Sequence, residues 1–139
     1  MALIKVKEKE MGKVNMTPEE IRNKLFYFHD AAHIYHHETT GGWEHEALGK
    51  LYTELVDFKD DIPEKIMGYM DGKRIGGYKA LQVPEYTGKE SSNKLVKEII
   101  YFAKNLEEWA EEKEYCDISN IAQSLSGLGA KTVYRLTLK

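Results

Sequence analysis

Apolar residues recur along this chain at intervals of three and four, the spacing that lines one face of an α-helix. The first such stripe runs through Ile21, Leu25, Phe28, Ala32 and Tyr35. Ahead of it, Thr17-Pro18-Glu19-Glu20 has the form of a capping box with proline at the first helical position, where its missing N–H costs nothing. Gly41-Gly42 breaks the pattern. A second stripe follows at once, carrying Trp43, Leu48, Leu51, Leu55, Phe58, Ile62, Ile66 and Tyr69 and stopping before Asp71-Gly72. Pro63 lies inside that stripe and removes one backbone hydrogen bond, which predicts a long helix with a kink.

From Gly72 to Ser92 the glycines, Pro84 and scattered aromatic residues read as a connection with room for one short helix. Ser91 or Ser92 then caps a third helix, whose stripe is Leu95, Ile99, Phe102, Leu106 and Trp109 or Ala110. Asp117 can cap a fourth, with Ile118, Ile121, Leu125, Leu128 and Leu136 on one side, although Thr132 to Leu138 also alternates as a strand would. Residues 1–16 show no stripe and are expected to form a flexible tail ahead of one domain over 17–139. The fold class expected is all-α, an antiparallel four-helix bundle with one long crossover.

Composition narrows the function. A formal charge of −3 gives no field that would hold nucleic acid along the whole surface, so any DNA contact must be local. Lys5, Lys7, Lys9 and Lys13 against Glu8 and Glu10 give the tail only a small positive excess. Cys116 is the only cysteine, which excludes an intrachain disulfide and a Cys-based zinc site and points to a reducing compartment and a small buried thiol. No apolar run approaches membrane-spanning length and the first residues lack the features of a signal peptide, so the expected location is the cytoplasm.

All five histidines fall between positions 29 and 45. His29, His33 and either His36 or His37 share one side of the first helix, and His33 and His45 flank the turn into the second. Farther along that second helix Asp60 and Glu64 are four apart and face the same way, a carboxylate pair that suits Fe(II), for which imidazole is also a good ligand. Fifteen residues separate His45 from Asp60, a helical rise of roughly 22 Å, so one chain cannot bring both to one metal. Two chains related by a two-fold axis can, each supplying histidines to the other's carboxylates.

The stretches Phe28-His29-Asp30-Ala31-Ala32-His33, Gly41-Gly42-Trp43-Glu44-His45, Lys50-Leu51-Tyr52-Thr53-Glu54-Leu55 and Asp60-Asp61-Ile62-Pro63-Glu64-Lys65-Ile66 resemble the core of the Dps family of mini-ferritins. The spacing agrees without gaps from His33 to Glu64. The resemblance implies a ferritin-like bundle in which His33 and His45 of one subunit and Asp60 and Glu64 of its partner bind iron at a ferroxidase site. It further implies a homo-oligomer built from two-fold dimers, extending to a hollow dodecamer that stores iron as a mineral. Twelve lysine-bearing tails would add up on DNA only through multivalency. Gly49 stands where the family often has a further acidic ligand, with Glu46 or His37 left to compensate; Ile34 stands where it usually has tryptophan, and Pro63 where alanine is usual. These departures define the rival expectation, a metal-inactive ferritin-like bundle that serves as a binding or assembly protein. Glu-x-x-His pairs, a His-Glu-x-x-His zinc motif, a serine-nucleophile motif and a phosphate-cradling glycine loop are all missing from the sequence.

Overall fold

A computed structural model describes residues 15–139, and among these residues it contains four α-helices and no strand. The lysine-bearing segment 1–14 lies outside the described residues. Helix α1 spans Pro18–Glu38, α2 Gly42–Tyr69, α3 Lys89–Glu112 and α4 Cys116–Leu136. The four form a helical bundle in which α1 packs on α2 and α3, and α4 packs on α3 and α2.

Helix α1 starts where its cap predicts, with Thr17 Oγ1 accepting the Glu20 N–H at 3.1 Å. Its predicted stripe is buried, and Tyr27 and Ala31 widen it enough to meet both neighbouring helices. In α2 the middle of the stripe, from Leu48 to Ile66, faces the core, but both ends turn outward: Trp43 is 51% exposed and Tyr69 41%. The helix continues through Pro63, which is itself buried. It closes at Asp71 and Gly72, both with positive φ (55° and 82°), where the Gly72 N–H reaches back to Met67 O at 2.8 Å.

Helix α3 begins at Lys89, two residues before the first predicted cap, because Thr87 supplies the closing contacts. The Thr87 N–H donates to Ser91 Oγ at 2.9 Å and its hydroxyl donates to Glu90 Oε1 at 3.1 Å. Ser92 is buried and donates to Glu44 Oε2 at 2.7 Å. Both Trp109 and Ala110 join the core, together with Val96 and Ala103. Helix α4 starts at Cys116, whose thiol is exposed rather than buried, and Asp117 lies in the first turn instead of capping it. The alternating stretch after Thr132 is helical as far as Leu136, with Thr132 Oγ1 donating to Leu128 O at 2.8 Å.

The α2–α3 connection carries no helix and lies against α1. Near the start of α1, Arg22 Nη2 donates to the carbonyls of Gly76 and Gly77, the Lys79 N–H reaches Asn23 Oδ1, and Phe26 packs on Tyr78. Near its end the Tyr35 hydroxyl donates to Pro84 O at 2.8 Å, and the Tyr86 hydroxyl donates to Glu44 Oε2 at 2.8 Å. At the other end of α2, Tyr69 stacks on Tyr115 and donates to Asp117, and midway along the helix Glu54 faces Arg135 near the end of α4. No helix among the described residues is long and apolar enough to cross a membrane.

Candidate metal centre

The histidines gather along one flank where α1 meets α2, three of them around the Tyr52 ring. His29, His33 and His37 are one helical turn apart, with ring centroids 6.0 Å apart for the first pair and 4.6 Å for the second. Tyr52, half-buried on α2, stacks under His33 at 4.2 Å and 23°, and the edges of His29 and His36 meet the same ring.

His36 and His45 clasp the turn. His36 Nδ1 donates to His45 O and His45 Nδ1 donates to His36 O, each at 2.8 Å, and the two rings stack with centroids 3.7 Å apart. A carbonyl oxygen only accepts, so Nδ1 carries the hydrogen in both rings and, in the neutral tautomer, the Nε2 lone pair of each is free. Metal-bound histidines are generally oriented in this way, one nitrogen donating to a carbonyl while the other binds. Gly49 leaves room for the His36 ring. A Cβ at that position would lie 3.0 Å from His36 Cε1 and 3.2 Å from its Nδ1.

His29 is set up differently. Lys59 Nζ lies 3.3 Å from its Nδ1 and Asp30 Oδ1 lies 3.5 Å away. Burial, followed by the Lys59 charge, pushes its pKa below the ordinary histidine value, which favours the neutral ring accepting from the ammonium. Its Nε2 then carries the hydrogen and is not a lone-pair donor.

The two carboxylates lie farther down α2. Asp60 and Glu64 are both exposed, and among the described residues neither forms an ion pair, whereas Asp61 is held by Lys65 at 3.1 Å. Within one chain the α1–α2 turn therefore brings His33 and His45 to one region and leaves Asp60 and Glu64 at another, as the helical rise requires. Among the described residues, no three His, Cys, Asp or Glu side chains of a single chain converge in a way that would hold a metal ion. Glu46, one of the two residues left to compensate for Gly49, is instead paired with Lys50 at 3.2 Å.

Sequence reasoning set either His36 or His37 beside His29 and His33 on one side of the first helix and gave Gly49 only the meaning of a missing ligand. The structure joins them, one ring seated against one absent side chain. A glycine in mid-helix facing a histidine-rich neighbour was the available signal. No family model, curated protein or solved structure matches the chain, so the functional reading rests on these residues.

Proposed function

We propose that this chain is a divergent member of the Dps group of mini-ferritins, which pairs through a two-fold axis and sequesters iron at sites shared between subunits. In this reading the bundle is ferritin-like, α1 and α2 antiparallel, α3 and α4 antiparallel, and the long connection a crossover that runs the length of α1. The end-to-end contacts of that connection support it, from Arg22 with Gly76 and Gly77 to Tyr35 with Pro84.

The observation that carries the proposal is the complementary exposure of the two half-sites. His45 is oriented by a carbonyl with Nε2 free, and Asp60 and Glu64 face solvent without a cationic partner among the described residues. A solvent-facing carboxylate pair on one copy and a pre-oriented imidazole on the other are the two halves of a nitrogen and oxygen donor set for Fe(II). The substrate is Fe(II), held by His33 and His45 of one subunit and by the partner's Asp60 and Glu64. Two imidazoles and two carboxylates leave coordination positions open, so dioxygen or peroxide can take an electron from each bound Fe(II). The protein fixes position and charge, and exposed glutamates of α2 and α3 would receive the ferric product.

A second reading is favoured by the His36–His45 clasp, which has a structural role of its own, and by the single-chain geometry. In it the bundle is metal-inactive and serves as a binding or assembly protein. Anaerobic Fe(II) titration by calorimetry separates the two, with His45→Ala and Asp60→Ala variants and sizing by light scattering. Saturable binding of about one or two irons per chain, lost in either variant, is the expected outcome for a shared two-fold site. An assembly that stays intact and takes up no iron would establish the second reading.

A further inference from the structure

We propose that His33 and His37 form, within a single chain, a two-imidazole site for a borderline divalent cation such as Zn(II), Co(II) or Ni(II). The site shares His33 with the iron centre proposed above but needs no residue from a partner.

The argument is geometric. With metal–nitrogen bonds of about 2.0–2.1 Å and a ring nitrogen roughly 1.2 Å from its centroid, two imidazoles on one tetrahedral ion, or cis on an octahedral one, have centroids roughly 4.5–5.4 Å apart. The His33–His37 separation of 4.6 Å lies in that window. The alternatives do not: His29–His33 at 6.0 Å, His36–His37 at 5.8 Å and His33–His36 at 6.5 Å are too wide, and His36–His45 at 3.7 Å is too close. Histidines at i and i+4 project from the same face of a helix, so both rings reach a common point without any change in the backbone.

Hydrogen bonding selects the same pair. His29 is engaged by Lys59, and His36 and His45 hold each other's backbone carbonyls. Among the described residues, His33 and His37 have no hydrogen-bonding partner, so neither ring has to give up a hydrogen bond to bind an ion. Tyr52 stacking under His33 fixes one ring in advance, and the exposed His37 closes on the ion from the solvent side. Imidazole alone, without a carboxylate, suits late first-row ions better than Fe(II), and water would fill the other positions.

The test is Co(II) titration followed by visible absorption, with Zn(II) calorimetry in parallel, on the wild-type chain and on the His37→Ala, His45→Ala and Asp60→Ala variants. His37 is exposed, so its replacement leaves the core untouched, and circular dichroism checks this. The expected result is one Co(II) or Zn(II) per chain, weakened about tenfold or more by His37→Ala, since loss of a direct ligand costs at least what loss of a supporting residue does. His45→Ala and Asp60→Ala disable the shared site and are expected to lose only whatever Co(II) or Zn(II) that site takes, with the His37-dependent ion still in place. Unaltered affinity in His37→Ala, or no saturable binding in the wild type, overturns the proposal. Loss of the His37-dependent ion in Asp60→Ala also overturns it, because the ion would then belong to the shared site. If iron uptake is absent but His37→Ala still weakens Co(II), the iron reading fails and this one stands.

Discussion

Replacing Gly49 with alanine tests the histidine clasp at its tightest contact. At an unhindered helical position the change is favourable by about 1 kcal/mol, because alanine loses less backbone entropy than glycine. At Gly49 the new methyl would press on His36 Cε1 and Nδ1 at 3.0 and 3.2 Å, and the stack on His45 leaves the ring little room to retreat. Moving it breaks the bond from His36 Nδ1 to His45 O and disturbs the reciprocal one, a loss of about 1–2 kcal/mol at the usual net worth of a hydrogen bond. Gly49→Ala should therefore lie between neutral and about 1 kcal/mol destabilising. Gly127→Ala supplies the reference, since a Cβ there meets nothing within 4 Å and should stabilise by about 1 kcal/mol. Urea unfolding followed by circular dichroism measures both at neutral pH. In a His36→Ala background the clash is gone, and Gly49→Ala should become as stabilising as Gly127→Ala. The resulting coupling of about 1–2 kcal/mol stands clear of the few tenths seen between independent sites. Equal stabilisation by Gly49→Ala and Gly127→Ala in the wild-type background, with no coupling to position 36, would refute the clasp.

Two further substitutions examine the rest of the bundle. Gly129→Ala should destabilise even though it lies two residues from the permissive Gly127, because its Cβ would come within 2.5 Å of Ile100 Cγ1 on α3. Overpacking against a stiff β-branched side chain costs about 1–3 kcal/mol, more than the helical gain, and urea unfolding reads the opposite signs directly. Tyr69→Phe removes the hydroxyl that holds the Asp117 carboxyl below its ordinary pKa, so the Asp117 titration followed by NMR should move up. The depressed carboxyl contributes stability above its unfolded value near 3.8, and that contribution is lost as pH falls through the folded value. The wild-type advantage over Tyr69→Phe is accordingly full at neutral pH and vanishes in acid. At the alkaline end the same bond pushes Tyr69 up to about 12, so the wild type alone loses stability as pH rises from 10 toward that value.

The four helices were legible in the sequence because a buried face repeats every three to four residues however the helices are later arranged. Ile21 to Tyr35 and Leu95 to Trp109 are the clear cases, since each stripe is flanked by charged residues that have no place in a core. The start of α3 was displaced because Thr87, ahead of a glycine, closes the turn as well as either serine would. Trp43 and Tyr69 continue the α2 stripe in sequence yet sit at its ends, where the neighbouring helix covers them only in part. At the candidate centre, spacing alone separated the histidines from Asp60 and Glu64, because helical rise is fixed by the backbone. Spacing could not reveal the His36–His45 exchange. Its acceptors are main-chain carbonyls, available to any residue, and the approach depends on the tight turn at Gly41 and Gly42.

The connection between α2 and α3 also bears on how two copies can meet. A linker between helix pairs is a place where domain swapping can begin, one copy lending its second pair of helices to another. Here the linker is fastened to its own chain at both ends, by Arg22 on Gly76 and Gly77 and by Tyr35 and Glu44 on Pro84 and Tyr86. To swap, a chain would have to release every one of these fastenings before regaining any from its partner. The kinetic barrier falls on exchange, so copies that pair as proposed should do so as finished units, surface against surface, with each cluster of histidines still on the chain that folded it.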